Sequence, residues 1–212
     1  MSLRLGDIAP DFDAQTTLGP IRFHDWTAGQ WCVLFSHPGD FTPVCTTEMG
    51  AISRLKGEFD RRGVKVLGLS IDTLERHAQW VHEIEATQGI RIRIPLVADP
   101  DRRIATLYDM VHPNTASNVP VRTLFVIDPE HRVRLTSTYP PTTGRNFSEV
   151  LRAIDSLKLT SEHEVATPAN WERGDDVIIL PSVSDEDAGR RYHCGWRVEN
   201  SSLRYVKDPT LR

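Results

Sequence analysis

The sequence predicts an α/β fold: a buried, mostly parallel sheet with helices packed on it, followed by a smaller C-terminal part. Three observations carry this. The runs Trp31-Cys32-Val33-Leu34-Phe35-Ser36 and Val64-Lys65-Val66-Leu67-Gly68-Leu69-Ser70-Ile71 are nearly continuously apolar, as strands covered on both faces are. Between them Met49, Ile52, Leu55 and Phe59 recur at intervals of three and four, the spacing of one helical face. A strand–helix–strand unit of this kind closes as a parallel pair with a right-handed crossover. Further on, a hairpin pattern over 121–139 leads into an amphipathic helix over 146–158 marked by Phe147, Val150, Leu151, Ile154 and Leu157.

In chain order, residues 3–30 alternate short apolar stretches with turn residues (Pro10-Asp11, Leu18-Gly19-Pro20), which predicts a hairpin-like opening along one sheet edge. The strand at 31–36 ends at Pro38-Gly39. Thr42 then offers an N-cap and Pro43 suits the first helical position. After the strand at 64–71, Asp72 or Thr73 caps a helix over about 74–87, with Trp80, Val81 and Ile84 on its buried side. Ile94–Val97 is a short strand, Asp101–Tyr108 a short helix, and residues 110–120 a turn-rich loop. Val121–Ile127 is an apolar strand that turns at Asp128-Pro129-Glu130-His131 into an antiparallel partner, Arg132–Tyr139. The order β-α-β-α-β-β-α is that of a thioredoxin-like α/β core with an N-terminal β extension. The domains read as 1–160 for this core and 161–212 for the rest. From about 160 the apolar content thins to Trp171, Val177–Leu180 and Leu203–Val206, so this segment is expected to pack on something else, such as another subunit.

Composition narrows the function classes. At 212 residues, 39% hydrophobic and 25% charged, the chain has the make-up of a soluble globular protein. A net charge of −4 without a basic run argues against nucleic acid as a partner. No stretch has the apolar length of a secretory signal or a membrane span. The three cysteines, Cys32, Cys45 and Cys194, form neither a disulfide framework nor a CxxC motif, which fits a reducing cytoplasm.

Cys45 is the residue with chemistry. It lies four positions before Met49 on the inward stripe, at a helix N-terminus whose unpaired N–H groups and partial positive charge favour a thiolate over a thiol. The same placement also suits an inert Cys packed as a small hydrophobe.

Pro38, Thr42 and Cys45 stand in the spacing P-x-x-x-T-x-x-C within SHPGDFTPVCTTE. This resembles the active-site motif of the peroxiredoxins, specifically their one-Cys group. LGDIAPDF, IRFHDW, YPPTTGRNF, ATPANW and the near-terminal LRY resemble that group too, so the likeness spans almost the whole chain. It implies a thiol peroxidase that reduces hydrogen peroxide and organic hydroperoxides, is regenerated by an external thiol or other reductant, and uses no cofactor or metal. It also implies that 161–212 is the arm through which such proteins form homodimers.

The resemblance implies roles residue by residue. Cys45 is the peroxidatic nucleophile that becomes a sulfenic acid. Thr42 donates its hydroxyl to the peroxide, although N-capping would also explain it. Pro38 shields the thiolate, Arg122 in VPVRTLFVIDP holds it charged, and Glu48 and Arg145 orient the cluster. His37 lies beside the sulfur in the group's pattern; zinc held by His37 and Cys45 lacks further ligands at usable spacing. Taken without the resemblance, Arg122 reads as a solvated strand end, Glu48 and Arg145 as surface charges, and Pro38 and His37 as loop residues. Where two-Cys peroxiredoxins carry a resolving Cys in an EVCP segment, this chain has Ala166, in Glu164-Val165-Ala166-Thr167-Pro168. Cys32 reads as core packing. Cys194 in RRYHCGW departs from the group's pattern, either as a spectator or as a residue that resolves the sulfenic acid. The phospholipase A2 activity credited to some one-Cys members is expected to be absent, since Gln30 and Glu130 stand where a Ser and an Asp would join His24. The rival reading is a peroxide sensor or chaperone-like assembly without efficient turnover.

Overall fold

The computed structural model describes residues 3–115, 118–193, 195–200 and 202–210. Two compact units divide the chain, residues 1–147 and 148–212.

The first unit is built on a seven-stranded sheet. Its strands are β1 (Asp13–Thr16), β2 (Gly19–Arg22), β3 (Trp31–Ser36), β4 (Val64–Ser70), β5 (Leu96–Ala98), β6 (Arg122–Ile127) and β7 (Val133–Tyr139), in the order β2-β1-β5-β4-β3-β6-β7. β3 and β4 pair in parallel from Trp31–Val64 to Ser36–Leu69, β6 adds antiparallel to β3 and β7 antiparallel to β6, which gives the thioredoxin-like arrangement. Every residue of β3 and of β6 is buried, the reason both read as unbroken apolar runs. The opening hairpin β1–β2 joins the edge through β5, as its turn residues suggest. A short helix, α1 (Phe23–Thr27), follows it; the turn-rich pattern had concealed this.

The helical stripe after β3 is two helices rather than one. α2 (Pro43–Arg54) stops at Leu55, and α3 (Lys56–Arg61) carries Phe59 into the core. α4 (Leu74–Gln88) begins at Thr73, whose hydroxyl accepts from Arg76 N, and ends at Gly89 in the left-handed conformation. Its buried residues are His77, Trp80 and Ile84, at i, i+3 and i+7, whereas Val81 is only half-buried. α5 (Arg103–Leu107) is capped from within by Asp99, whose two carboxylate oxygens accept from Ile104 N and Ala105 N.

The second unit contains most of α6 (Phe147–Glu162), the strands β8 (Val165–Ala166), β9 (Val177–Ile179), β10 (Arg197–Asn200) and β11 (Leu203–Val206) in the order β10-β11-β9-β8, and α7 (Asp185–Arg191). Its sparse apolar residues are gathered rather than scattered. Leu159, Val165, Trp171, Val177, Ile179, Val183, Ala188, Tyr192 and Val206 form a small core of their own. The expectation that this segment lacks core material is therefore corrected: Trp171, 2% exposed and donating Nε1–H to Asp175 O, supplies the bulk that the short strands lack.

Candidate active site

Cys45 occupies the first turn of α2 and is 1% exposed. β3 delivers the chain to the loop 37–42, and this loop turns it into α2. The turn is tight. Phe41 takes a positive φ of 58°, a conformation that costs a non-glycine residue about 1–2 kcal/mol, and its ring lies 5.0 Å from the Arg76 guanidinium. Thr42 is the N-cap by backbone conformation, but its hydroxyl makes no capping bond; it donates to Gly39 O at 3.0 Å. α4 holds the first turn of α2 from the side, through Trp80 Nε1–H to Thr46 Oγ1 at 3.1 Å and Gln88 Nε2–H to Thr46 O at 3.1 Å. Pro38 is half-buried.

Arg122 reaches the sulfur from β6. Its Nη1 is 3.4 Å from Cys45 Sγ and donates to Glu48 Oε2 at 2.7 Å, while Nε and Nη2 donate to Pro141 O at 3.0 and 2.7 Å. Far from a solvated strand end, the side chain is 2% exposed. Glu48 lies one turn after Cys45 on the same face of α2. It is gripped from the other side by Arg145, whose backbone N and Nε donate to Oε1 at 2.7 and 2.9 Å and whose Nη2 donates to Oε2 at 2.7 Å. Arg145 Nη1 goes on to Thr123 O at 3.1 Å, and the guanidinium lies 5.0 Å from the Phe35 ring. Burial alone would push the Glu48 carboxyl up. Hydrogen bonds and charge from Arg145, with Arg122 adding to them, outweigh it and hold the carboxyl below its usual value. The cluster carries two fixed positive charges against one negative, so the surplus cation falls on the Cys45 side. A sulfur at a helix N-terminus beside that guanidinium is a place where negative charge is stabilised.

His37 is buried, at 1% exposure, and its polar neighbours are Asp40, with Nε2 3.7 Å from Oδ1, and His77, with ring centroids 6.1 Å apart. Trp80 lies against it at 5.0 Å. Burial first, then the charges of His77, Arg145 and Arg122, hold its pKa well below the ordinary histidine value, so the ring is neutral. The Gly39 backbone opposes this slightly and does not reverse it. The fold thus gives His37 neighbours of ligand type that spacing in the sequence does not reveal: Asp40, and His77 from forty residues downstream. Asp40 and His77 are the two site residues sequence reasoning missed. Asp40 passes as a turn residue, but His77 sits three before Trp80 on the stripe that faces inward, and that spacing was legible.

Cys32 lies fully buried within β3 and burial pushes its thiol up, so it remains protonated packing material. Cys194 lies outside the described residues. His24 Nε2–H donates to Ala9 O at 2.7 Å, and the ring stacks on His131 with centroids 3.9 Å apart.

The comparisons with known proteins agree with this geometry. The AhpC/TSA family model matches residues 5–136, and the model for the C-terminal domain of 1-Cys peroxiredoxin matches residues 156–195. The 1-Cys peroxiredoxin of Dictyostelium discoideum is 45% identical over 207 residues, spanning 98% of this chain and 86% of that protein. A cysteine-to-serine mutant of peroxiredoxin 6 from Arenicola marina superposes with a TM-score of 0.93 at 41% identity, covering 98% of this chain and 99% of that one. The yeast mitochondrial 1-Cys peroxiredoxin, solved in a study of its thiol resolving mechanism via the glutathione and thioredoxin systems, gives a TM-score of 0.91 at 47% identity, covering 97% and 99%. The chain therefore belongs to the AhpC/TSA family and, within it, to the one-Cys peroxiredoxins. It is a thiol-dependent peroxidase. Among the described residues no helix is long and apolar enough to cross a membrane.

Proposed function

We propose that Cys45 is the peroxidatic nucleophile, acting on hydrogen peroxide and organic hydroperoxides. The thiolate attacks one peroxide oxygen and the O–O bond breaks. Cys45 becomes a sulfenic acid, and the other oxygen leaves as hydroxide or alkoxide and takes up a proton. An external thiol then displaces the sulfenic oxygen as water, and a second thiol frees Cys45 from the mixed disulfide. The observation that carries this reading is Arg122: Nη1 lies 3.4 Å from the sulfur and is itself tied to Glu48, while Nε and Nη2 are tied to Pro141 O. A guanidinium so constrained cannot swing away, and it meets charge developing on sulfur and oxygen without rearranging.

In this reading Glu48 and Arg145 hold Arg122 in place, Pro38 excludes water from the sulfur, and Thr42 moves its hydroxyl bond from Gly39 O to the incoming peroxide. His37 is a neutral ring beside this centre. Residues 1–160 form the peroxidase domain and 161–212 the arm through which two copies form a homodimer in the cytoplasm. The match of 156–195 to the one-Cys C-terminal model supports the arm, and the glutathione and thioredoxin systems of the yeast relative support an external thiol as reductant.

The test is intact-mass spectrometry after one equivalent of hydrogen peroxide, with and without a sulfenic-acid trap, on wild type, Cys45→Ser and Cys194→Ser. A trapped sulfenic acid lost only in Cys45→Ser is the expected result. A disulfide between Cys45 and Cys194, lost in either variant, would make Cys194 the resolving residue. Consumption of a single peroxide per subunit despite added thiols would favour a sensor, and an unmodified Cys45 would overturn the assignment.

A further inference from the structure

His77 lies on α4, fully buried, between two acceptors. Its Nδ1 is 2.7 Å from Asp40 Oδ2 and its Nε2 is 3.1 Å from Val97 O. A backbone carbonyl only accepts, so Nε2 carries a hydrogen. A neutral imidazole has one N–H, which would leave Nδ1 as a lone pair facing an ionised carboxylate across 2.7 Å. The contact therefore requires one proton beyond neutral His77 and ionised Asp40. Whether it sits on nitrogen or oxygen, it lies on the Nδ1–Oδ2 line. Burial raises the Asp40 pKa, in keeping with a carboxyl that shares a proton.

Asp40 has a second oxygen to offer. Oδ1 has no hydrogen-bond partner among the described residues, and neither do Nδ1 and Nε2 of His37. The gap from Oδ1 to His37 Nε2 is 3.7 Å, under about 1 Å longer than a hydrogen bond. The rest of the loop is pinned: Asp40 N–H donates to Asp72 Oδ2 at 2.8 Å, Ser70 Oγ donates to the same oxygen, and Arg76 pairs with Asp72 Oδ1 at 2.7 Å. The atoms left unpaired in this cluster are therefore Oδ1 and the two His37 ring nitrogens, and Nε2 faces Oδ1 across that gap.

We infer that Asp40 and His77 are positioning residues for the peroxidase reaction: sharing one proton, they fix Asp40 Oδ1 as an acceptor that holds His37 in its Nε2–H tautomer beside the peroxidatic centre. Nδ1 of His37 is then the ring's single acceptor, ready for a hydroxyl hydrogen of a peroxide or a sulfenic acid. The neutral ring that this needs is enforced by burial and by Arg122 and Arg145. The groups bearing on Asp40 are His77, Asp72 and Arg76, and those bearing on His37 are His77, Arg145 and Arg122. His37, Asp40 and His77 are also donor types that a divalent cation takes, with ligand atoms within 4.8 Å of one another. A tetrahedral ion with bonds of about 2.0–2.1 Å holds its ligands about 3.4 Å apart. The 2.7 Å Nδ1–Oδ2 contact is the length of a proton bridge and would have to open.

The inference rests on the peroxidase reading, and its test separates the two. Nitrogen-detected NMR of the wild-type imidazoles reports protonation directly. Nε2 of His77 is expected to carry a hydrogen, Nδ1 to carry one or share it with Asp40, and His37 to be protonated at Nε2. In Asp40→Ala, which removes the acceptor facing Nε2, the His37 proton is expected to shift toward Nδ1. The rate of Cys45 oxidation, followed by stopped flow over a pH series, is expected to fall roughly 10- to 100-fold in Asp40→Ala and in His77→Gln. The double variant should be no slower than the worse single one, since the two act as one unit. A His77 whose Nδ1 is proton-free and unshared, or a folded Asp40→Ala oxidised at the wild-type rate at every pH, would overturn the inference. So would stoichiometric zinc uptake by Cys45→Ser that His77→Gln abolishes. Should a variant fail to fold, wild-type protonation decides. If wild-type Cys45 is not oxidised at all, the peroxidase reading fails while the NMR result still judges the pair.

Discussion

Two buried polar clusters border the loop 37–42, and they are finished differently. In the first, each oxygen of Glu48 accepts two bonds, three of the four from Arg145 and one from Arg122, and every guanidinium nitrogen has a partner among Cys45 Sγ, Glu48, Pro141 O and Thr123 O. In the second, Asp40, His77 and His37 leave three polar atoms without partners among the described residues. The difference is one of purpose. A saturated network of groups that never titrate near neutrality fixes position and charge, which suits a site that must meet an anion without rearranging. An unsaturated network of histidines and a carboxyl stores an unmade hydrogen bond, which costs stability but leaves room for protons to move.

The largest effect should come from breaking the saturated cluster. Glu48→Ala leaves two buried guanidinium groups without their anion and is expected to cost about 3–5 kcal/mol, read from the urea midpoint. The pH dependence has a defined sign. Because Glu48 is held below its usual value, its contribution is present above the ordinary carboxylate pKa of 4.5 and is lost as pH falls through the lower folded value. Glu48→Gln should flatten that acid limb. Next, Arg122→Met keeps the bulk of the side chain but removes the donor at Sγ, so Cys45 oxidation is expected to slow about 10²–10³-fold while the fold persists.

The unsaturated cluster predicts a smaller effect in a different pH window. Native His37 resists protonation, whereas the unfolded chain takes up that proton below about pH 6.5. Stability should therefore decline as pH falls from there, by up to about 1.4 kcal/mol per pH unit from this residue, and His37→Asn should remove that share. A urea titration of wild type and variant between neutrality and pH 5 reads it; parallel curves would put His37 on the solvated side of the comparison. Smallest of all, Cys32→Val belongs to neither cluster. It should change stability by less than about 1.5 kcal/mol and leave the oxidation rate of Cys45 unchanged.

Much of this was legible in the chain. Hydrophobic period alone placed β3, β4, β6, β7 and α4, because strands buried on both faces and helices buried on one leave different spacings. The break at Leu55 was not, since residues on either side of a short kink keep the same intervals. The opening helix α1 at Phe23–Thr27 was hidden for a related reason: five residues are too few to show a period. The second unit misled because apolar counting measures amount, whereas the small core around Trp171 depends on convergence.

The candidate site divides the same way. Sequence by itself determined the Pro38–Thr42–Cys45 spacing, the position of the Cys at a helix start, the absence of a Cys at residue 166 and the placement of Glu48 one turn on. All of these are local, fixed by backbone geometry within a few residues. Only the tertiary structure decided that Arg122 and Arg145, from positions 74 and 97 residues beyond Glu48, close on one carboxylate. It also decided that His77 meets Asp40 across 37 residues. A charge in a sequence carries no sign of its burial. What converts Arg122 from a strand end into a partner of the sulfur is that strands β3 and β6 lie side by side in the sheet. Its guanidinium then lies in a space where every donor must be satisfied and Glu48 is the anion within reach.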